Sequence, residues 1–320
     1  MTQAAAIEPG ATLLEREGEL AELRHALNEA QQGRGRIVLV EAPAGLGKTS
    51  LLSATIESAA AAGFCCLRAR ASELERDFAY GCVRQLLEPV IARASDAERQ
   101  HLLDGAAVLS KPLFTAGNLQ ASAPSADSTY SVLHGLYWLL NNLAGTTPLL
   151  LCIDDLHWAD AESLRLINYL APRLDGLPLI VLTAARTGEN VTADLARLFA
   201  GPETNVLRPC PLSIRAATAL CEARLGGAVA ADFAAACHDA TGGNPLFLKA
   251  LLHDAKEQKV LTATEAAARV RRIGPTAVAR AVQVRLSTAP AAASALVRAA
   301  ALLGDGASIA EAARLADVQD

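Results

Sequence analysis

One stretch limits this chain more than any other. Ala42-Pro43-Ala44-Gly45-Leu46-Gly47-Lys48-Thr49 follows the apolar run Ile37-Val38-Leu39-Val40 and precedes a helical pattern from Lys48 to Ala61. A buried strand, a small-residue turn and a helix in that order aim backbone N–H groups and the positive helix end at one point. The stretch matches the pattern G-x-x-x-x-G-K-[ST], with Ala42 in place of the first glycine. Small residues let successive N–H groups turn inward around phosphates. Lys48 reaches the β- and γ-phosphates, and the Thr49 hydroxyl is a ligand for Mg²⁺. The expected nucleotide contacts are therefore Ala42, Pro43, Ala44, Gly45, Leu46, Gly47, Lys48, Thr49 and the adjoining Ser50. If position 42 requires a positive φ, its alanine strains the loop by roughly 1 kcal/mol.

A second feature completes the chemistry. Leu149-Leu150-Leu151-Cys152-Ile153 is a strongly apolar strand that ends in Asp154-Asp155. A carboxylate at the carboxyl end of a parallel strand lies in the crevice where open α/β sheets bind ligands. Asp154 is expected to hold Mg²⁺, directly or through water, and Asp155 to orient or deprotonate an attacking water. Taken alone, the pair also reads as a strand followed by an aspartate cap for the next helix. The phosphate loop upstream favours the nucleotide reading. Arg186 follows the next strand, Leu179 to Leu182. It reads either as a γ-phosphate sensor that joins Lys48 and Asp155 in catalysis or as a surface cation. His157 and Trp158 read as packing and loop-shaping residues, because no second His or Cys stands at metal-ligand spacing.

Along the rest of the chain, helices are expected over residues 15–30, where Leu20, Leu23 and Leu27 share a face, and over 130–143 and 161–174. Residues 74–91 read as mostly helical up to a break at Pro89, and 94–127 as one helical patch followed by a Ser/Ala/Pro loop. Further strands are expected at 64–67 and 205–207. Strands alternate with helices before residue ~210, and helices dominate beyond it. That order predicts an α/β domain with a parallel sheet, then a helical one.

Composition narrows the function classes. The 320 residues are 52% hydrophobic and carry a net charge of −5, enough for a real core but without the basic footprint of a nucleic-acid binder. Seven cysteines, with no C-x-x-C pair, read as reduced thiols of a cytoplasmic protein. No basic leader or membrane-length apolar run is visible.

At this point the chain resembles a known family. Leu14-Glu15-Arg16-Glu17-Gly18-Glu19-Leu20, the phosphate loop, Asp154-Asp155-Leu156-His157-Trp158-Ala159-Asp160 and Thr241-Gly242-Gly243-Asn244-Pro245-Leu246-Phe247-Leu248 occur in this order. Together they resemble the signal-transduction ATPases with numerous domains (STAND), a branch of the AAA-type P-loop fold. Within it they are most similar to the ATPase regions of large bacterial LuxR-type transcriptional regulators. The resemblance covers about residues 11–260 well. It implies a P-loop NTPase (AAA/STAND-like) parallel sheet with helices on both faces over 11–210, a helical lid over 211–260, and the start of a winged-helix-like domain over 270–320. The tail ends inside a helical pattern, so the natural chain is expected to continue past Asp320.

The resemblance also implies roles. Arg16 would lie near the base and ribose, although Glu15 stands where that family commonly has glycine. Pro245 would touch the nucleotide and tie the lid to it. From the residues themselves, 241–248 reads only as a tight turn with proline at the first helical position. ATP, ADP and Mg²⁺ are the implied ligands, with an inducer or partner protein and a nucleotide-dependent oligomer as further expectations. The DNA-binding element of such regulators lies far C-terminal in longer chains, so this chain itself is expected not to bind DNA or a membrane. The leading expectation is a slow, regulatory, Mg-dependent ATPase that works as a switch. A P-loop small-molecule kinase and a non-hydrolysing recruitment module are the alternatives.

Overall fold

Five strands form one parallel sheet. The computed structural model describes residues 13–115, 126–188, 191–257, 270, 283, 286, 289–304 and 308–317. Its strands are β1 (Arg36–Glu41), β2 (Cys65–Arg70), β3 (Leu149–Asp154), β4 (Leu179–Ala185) and β5 (Thr204–Leu207), in the order β2-β3-β4-β1-β5. All neighbours are parallel, with Ile37 opposite Val181 and Leu149 opposite Leu179. Because β4 lies between β1 and β3, the loop after β1 and the aspartates after β3 flank the carboxyl end of β4.

Both faces of the sheet are covered at its centre, which is why β1, β3 and β4 are continuously apolar, whereas the edge strand β2 alternates with Arg68 and Arg70 exposed. Ile37, Leu39, Leu151, Ile153 and Val181 point to one face. There they meet α3 (Gly81–Arg93), α5 (Ala126–Ala144), α6 (Ala161–Leu170) and α7 (Ala193–Ala200). Val38, Val40, Leu150, Cys152, Ile180 and Leu182 point to the other, against α1 (Glu17–Gln31) and α2 (Lys48–Ala61). The alternation follows from the two-residue repeat of a strand. Each such side chain contributes about 1.5–3 kcal/mol when fully buried.

Several boundaries differ from the sequence expectation. The 74–91 segment is not one helix: a short 3-10 turn spans Glu73–Glu75, and α3 begins only at Gly81. Tyr80, at φ 59°, makes that late start. Pro89 does not break α3, which runs on to Arg93. The proline sits on the exposed side, where water can satisfy the carbonyl that loses its donor. The expected helix 161–174 is α6 to Leu170 and then a 3-10 turn, Ala171–Arg173, in which Pro172 has no N–H to continue the i→i−4 ladder. β2 runs three residues beyond Leu67, to Arg70. After α3 come α4 (Asp96–Leu102), begun by the Ser95–Glu98 capping box, and a 3-10 segment, Gly105–Phe114. The Ser/Ala/Pro stretch beyond it falls mainly on residues 116–125, outside the described residues.

The chain divides into two compact units, Met1–Cys210 and Pro211–Asp320. In the second, α8 (Ile214–Leu225), α9 (Ala231–Thr241) and α10 (Pro245–Glu257) pack through Ala217, Cys221, Ala236, Cys237, Leu248 and Leu251. Two further helices, α11 (Ala291–Leu303) and α12 (Ile309–Leu315), pack on each other. The rest of the expected winged-helix start lies outside the described residues.

Candidate nucleotide site

The loop after β1 is shaped by two left-handed glycines, Gly45 at φ 88° and Gly47 at φ 89°. Only glycine adopts that geometry without a Cβ penalty, so the loop can fold back and present its N–H groups. Ala42 is not among the positive-φ residues. The conditional strain at this position therefore does not arise, and its small side chain is buried at the end of β1. Gly47 caps α2, whose first residues are Lys48, Thr49 and Ser50. The Lys48 ammonium is turned back across the loop and donates to the Ala42 carbonyl at 2.7 Å and the Pro43 carbonyl at 2.9 Å.

Thr49 and Asp154 are 105 residues apart, yet the Thr49 hydroxyl donates to Asp154 Oδ2 at 2.8 Å. Asp154 Oδ1 accepts the Asp155 N–H at 2.9 Å, which fixes the carboxylate at the strand end. Asp155 itself sits at φ 53°, a left-handed conformation that aspartate tolerates better than most residues. Its Oδ2 accepts from Arg70 Nε at 3.1 Å and Nη2 at 3.0 Å. Arg70, the last residue of β2, was not singled out from the sequence. Its place depends on β2 pairing with β3, where it stands directly opposite Asp154.

Arg186 follows β4, and its N–H donates to Nδ1 of the buried His157 at 3.4 Å. His157 thus ties the end of β4 to the turn after β3, a loop-shaping role as the sequence suggested. Arg186, Arg70, Asp155, Trp158, Ser72, Glu73, Glu75 and Gln85 line an open cavity of about 650 Å³ at the carboxyl ends of β2, β3 and β4. Gln85 Oε1 accepts the Arg70 N–H at 2.9 Å and Gln85 Nε2 donates to Glu75 at 3.1 Å, so α3 braces this wall.

Arg16 is 5% exposed. Its guanidinium donates to the carbonyls of Glu15 at 2.8 Å, Leu46 at 3.4 Å and Cys210 at 2.6 Å. Glu15 stands at φ 53°, which gives a physical reason for a glycine preference at that position. Pro245 lies in the second unit, as the first residue of α10, and Asn244 Oδ1 caps that helix through the N–H groups of Leu246 (3.0 Å) and Phe247 (3.4 Å). A Cβ at Gly243 would lie 2.3 Å from the Leu212 carbonyl oxygen.

The oxygen donors fit a hard cation: Thr49 Oγ1 and Asp154 Oδ2 already meet at one point, and Mg²⁺ prefers such ligands. Among the described residues, no group of three or more His, Cys, Asp or Glu forms a separate metal cluster.

A parallel sheet with a glycine loop after one strand and paired aspartates after another defines a P-loop ATPase. Residues 12–182, more than half of the chain, match the AAA ATPase domain, and the chain belongs to that family. No curated protein matches it in sequence. Among solved structures, Cdc6p from Pyrobaculum aerophilum is similar at TM-score 0.56 and 15% identity, over 98% of this chain and 82% of that one. The Drosophila ORC bound to DNA is similar at TM-score 0.50 and 15% identity, over 98% and 75%. The STAND protein PH0952 from Pyrococcus horikoshii, which has a tetratricopeptide repeat sensor, gives TM-score 0.42 and 17% identity over 86% of this chain and 34% of that one.

Proposed function

We propose that this chain is the regulatory ATPase part of a larger signalling protein, one that binds ATP with Mg²⁺, hydrolyses it slowly and reports which nucleotide it holds. The observation that carries the reading is the Thr49–Asp154 hydrogen bond at the mouth of the glycine loop. It brings the helix that begins with Lys48 and the strand that ends in the paired aspartates to one point.

The loop N–H groups from Ala42 to Ser50 hold the phosphates, and the α2 N-terminus adds its positive end. Lys48 exchanges its two carbonyl partners for phosphate oxygens, a stronger charge-assisted contact. Thr49 and Asp154 would hold Mg²⁺, which when bound supplies charge neutralisation at the phosphates. Asp155 positions the attacking water and accepts its proton. The Arg70 ion pair limits that carboxylate, which suits slow turnover. Arg186, which shares a cavity wall with Asp155 and Arg70, senses the γ-phosphate charge. The motif resemblance implies Arg16 and Pro245 as further nucleotide contacts. The same resemblance implies that residues 211–260 act as a helical lid.

The regulatory assignment, to the ATPase region of a LuxR-type regulator acting in the cytoplasm, rests on the four motifs in their order along the chain. Seven free cysteines suit that compartment. Among the described residues, no helix is long and apolar enough to cross a membrane.

Phosphate release with Mg-ATP, with and without chelator, tests the reading. Slow, Mg-dependent release is expected, and Lys48→Ala should cost ~1.5–3 kcal/mol of ATP binding, about 10- to 150-fold in Kd. An unchanged Kd in that variant would remove the assignment. Transfer to an added small-molecule acceptor in place of phosphate release would favour a kinase.

A further inference from the structure

Buried arginines are held where their guanidinium has enough acceptors, and the acceptors of Arg16 are not a random set. Its Nη2 donates to two carbonyls, Cys210 O at 2.6 Å and Leu46 O at 3.4 Å. Leu46 lies inside the phosphate loop, between the two left-handed glycines. Cys210 is the last residue of the first unit, and Pro211 is the first of the second. A carboxylate, Glu19, stands 3.8 Å from Nη1 and partly balances the charge. We propose that Arg16 is a positioning residue that couples occupancy of the phosphate loop to the chain's exit from the nucleotide unit at Cys210. The proposal rests on the nucleotide reading of that loop.

The coupling follows from peptide geometry. The Leu46 carbonyl and the Gly47 N–H belong to one planar amide. When that N–H donates to a phosphate, the amide is polarised and its carbonyl becomes a stronger acceptor. One nitrogen serves both carbonyls, so a stronger bond to Leu46 draws the guanidinium inward and weakens the hold on Cys210. The segment Arg208-Pro209-Cys210-Pro211 is suited to carry such a displacement. Prolines on both sides of Cys210 restrict its backbone and remove two N–H groups that could otherwise anchor it. The Cys210 carbonyl is therefore a main point at which the exit is held.

The molecule carries its own reporter. Cys210 is the exposed cysteine; Cys65 and Cys66 are half-buried and Cys82, Cys152, Cys221 and Cys237 are buried. Burial also pushes the Cys82 and Cys152 thiols up to about 12, so they react slowly near neutral pH. The full chain would be reacted with a maleimide under native conditions, without nucleotide, with Mg-ADP and with a non-hydrolysable Mg-ATP analogue. Binding would be measured by calorimetry on the same samples, with Cys210→Ser identifying the signal. Saturating nucleotide is expected to speed labelling of Cys210 by ~5-fold or more, the lower end of ordinary coupling between sites. Arg16→Ala should bring the ratio of bound to free rates near one. Arg16→Lys, which has no second nitrogen to keep the Glu15 carbonyl while the first reaches Leu46 and Cys210, should lower the ratio while the protein stays folded. A side chain that only packs would change both rates together and leave the ratio alone. Nucleotide heat with an unchanged Cys210 rate in the parent, or a parental ratio in both Arg16 variants, overturns the proposal. Absence of nucleotide heat in the parent instead sinks the nucleotide reading beneath it.

Discussion

At the scale of single residues, the site divides into groups with different expected signatures. Asp154 and Asp155 are adjacent but point differently: Asp154 meets Thr49, and Asp155, turned by its left-handed backbone, faces the cavity with Arg70. Asp155→Asn should keep ATP bound and slow phosphate release by ~10²-fold or more, because proton acceptance is lost. Asp154→Asn should act on the magnesium dependence, seen as a shift of the Mg²⁺ titration midpoint. Parental turnover in Asp155→Asn would end its catalytic assignment. Gly243 offers a different test. Its φ is 68°, and an added Cβ would lie 2.3 Å from the Leu212 carbonyl oxygen, which is backbone and cannot swing away. The same glycine's carbonyl accepts the Leu212 N–H at 2.9 Å, so the turn would have to open. Gly243→Ala should destabilise the second unit by ~1–3 kcal/mol, read as a fall in Tm. A Tm within a degree of the parent would show that the turn can relax.

At the scale of elements, one buried carboxylate joins two helices. Asp160 is 2% exposed. Its Oδ1 accepts the Ser163 N–H at 2.8 Å as the cap of α6, and also the Tyr80 N–H at 2.7 Å. Its Oδ2 accepts the Cys82 N–H at 3.3 Å in the first turn of α3. A negative charge at the positive ends of two helices is favourable, and each donor it satisfies would otherwise be buried without water. Asp160→Ala should cost ~2–4 kcal/mol of stability in denaturant unfolding, more than a single cap is worth. A loss below 1 kcal/mol would mean that water or a neighbour replaces the carboxylate.

This clamp also shows where sequence reading stopped. The central strands were legible, because a strand covered on both faces is apolar throughout, as Leu149–Ile153 is; β2 was read short because its alternating end carries Arg68 and Arg70. The glycine loop was legible because its chemistry is local. The late start of α3 was not, because it depends on a carboxylate 80 residues away in sequence. α7 was missed because its eight residues bury only Leu195 and Leu198, too few for a helical period to stand out. Arg70 was missed for a related reason. Its meaning comes from β2 pairing with β3, a long-range fact that periodicity does not carry.

At the scale of the whole molecule, the question is whether nucleotide identity reaches the second unit. A ligand shifts an equilibrium only by its differential affinity for the two states. ATP and ADP differ by the γ-phosphate, so the difference must begin at groups near that charge; under the proposed function these are Arg186 and Asp155, which share the wall of one cavity. The backbone N–H of Arg186 is held by His157, in the turn after β3, so that wall includes a linked pair of strand ends. In the second unit, the turn at Gly242-Gly243-Asn244 is tied to the unit's first residues. Leu212 donates to the Gly243 carbonyl, and His238 Nε2 lies 3.1 Å from the Leu212 carbonyl, so the first residues of the unit and the start of α10 form one hydrogen-bonded group. Such a group opens as a unit, and its protection reports any change in how residue 212 is held. Hydrogen exchange of residues 212–256 is therefore expected to differ among the free protein, the Mg-ADP form and the form with a non-hydrolysable ATP analogue. Arg186→Ala should bring the last two together, because only the γ-phosphate distinguishes them. Pro245→Ala should raise exchange in all three, because a turn with preset φ becomes a flexible one. Equal protection of 212–256 in all three states of the parent, with nucleotide shown to be bound, would mean that the chain holds ATP without passing its state onward.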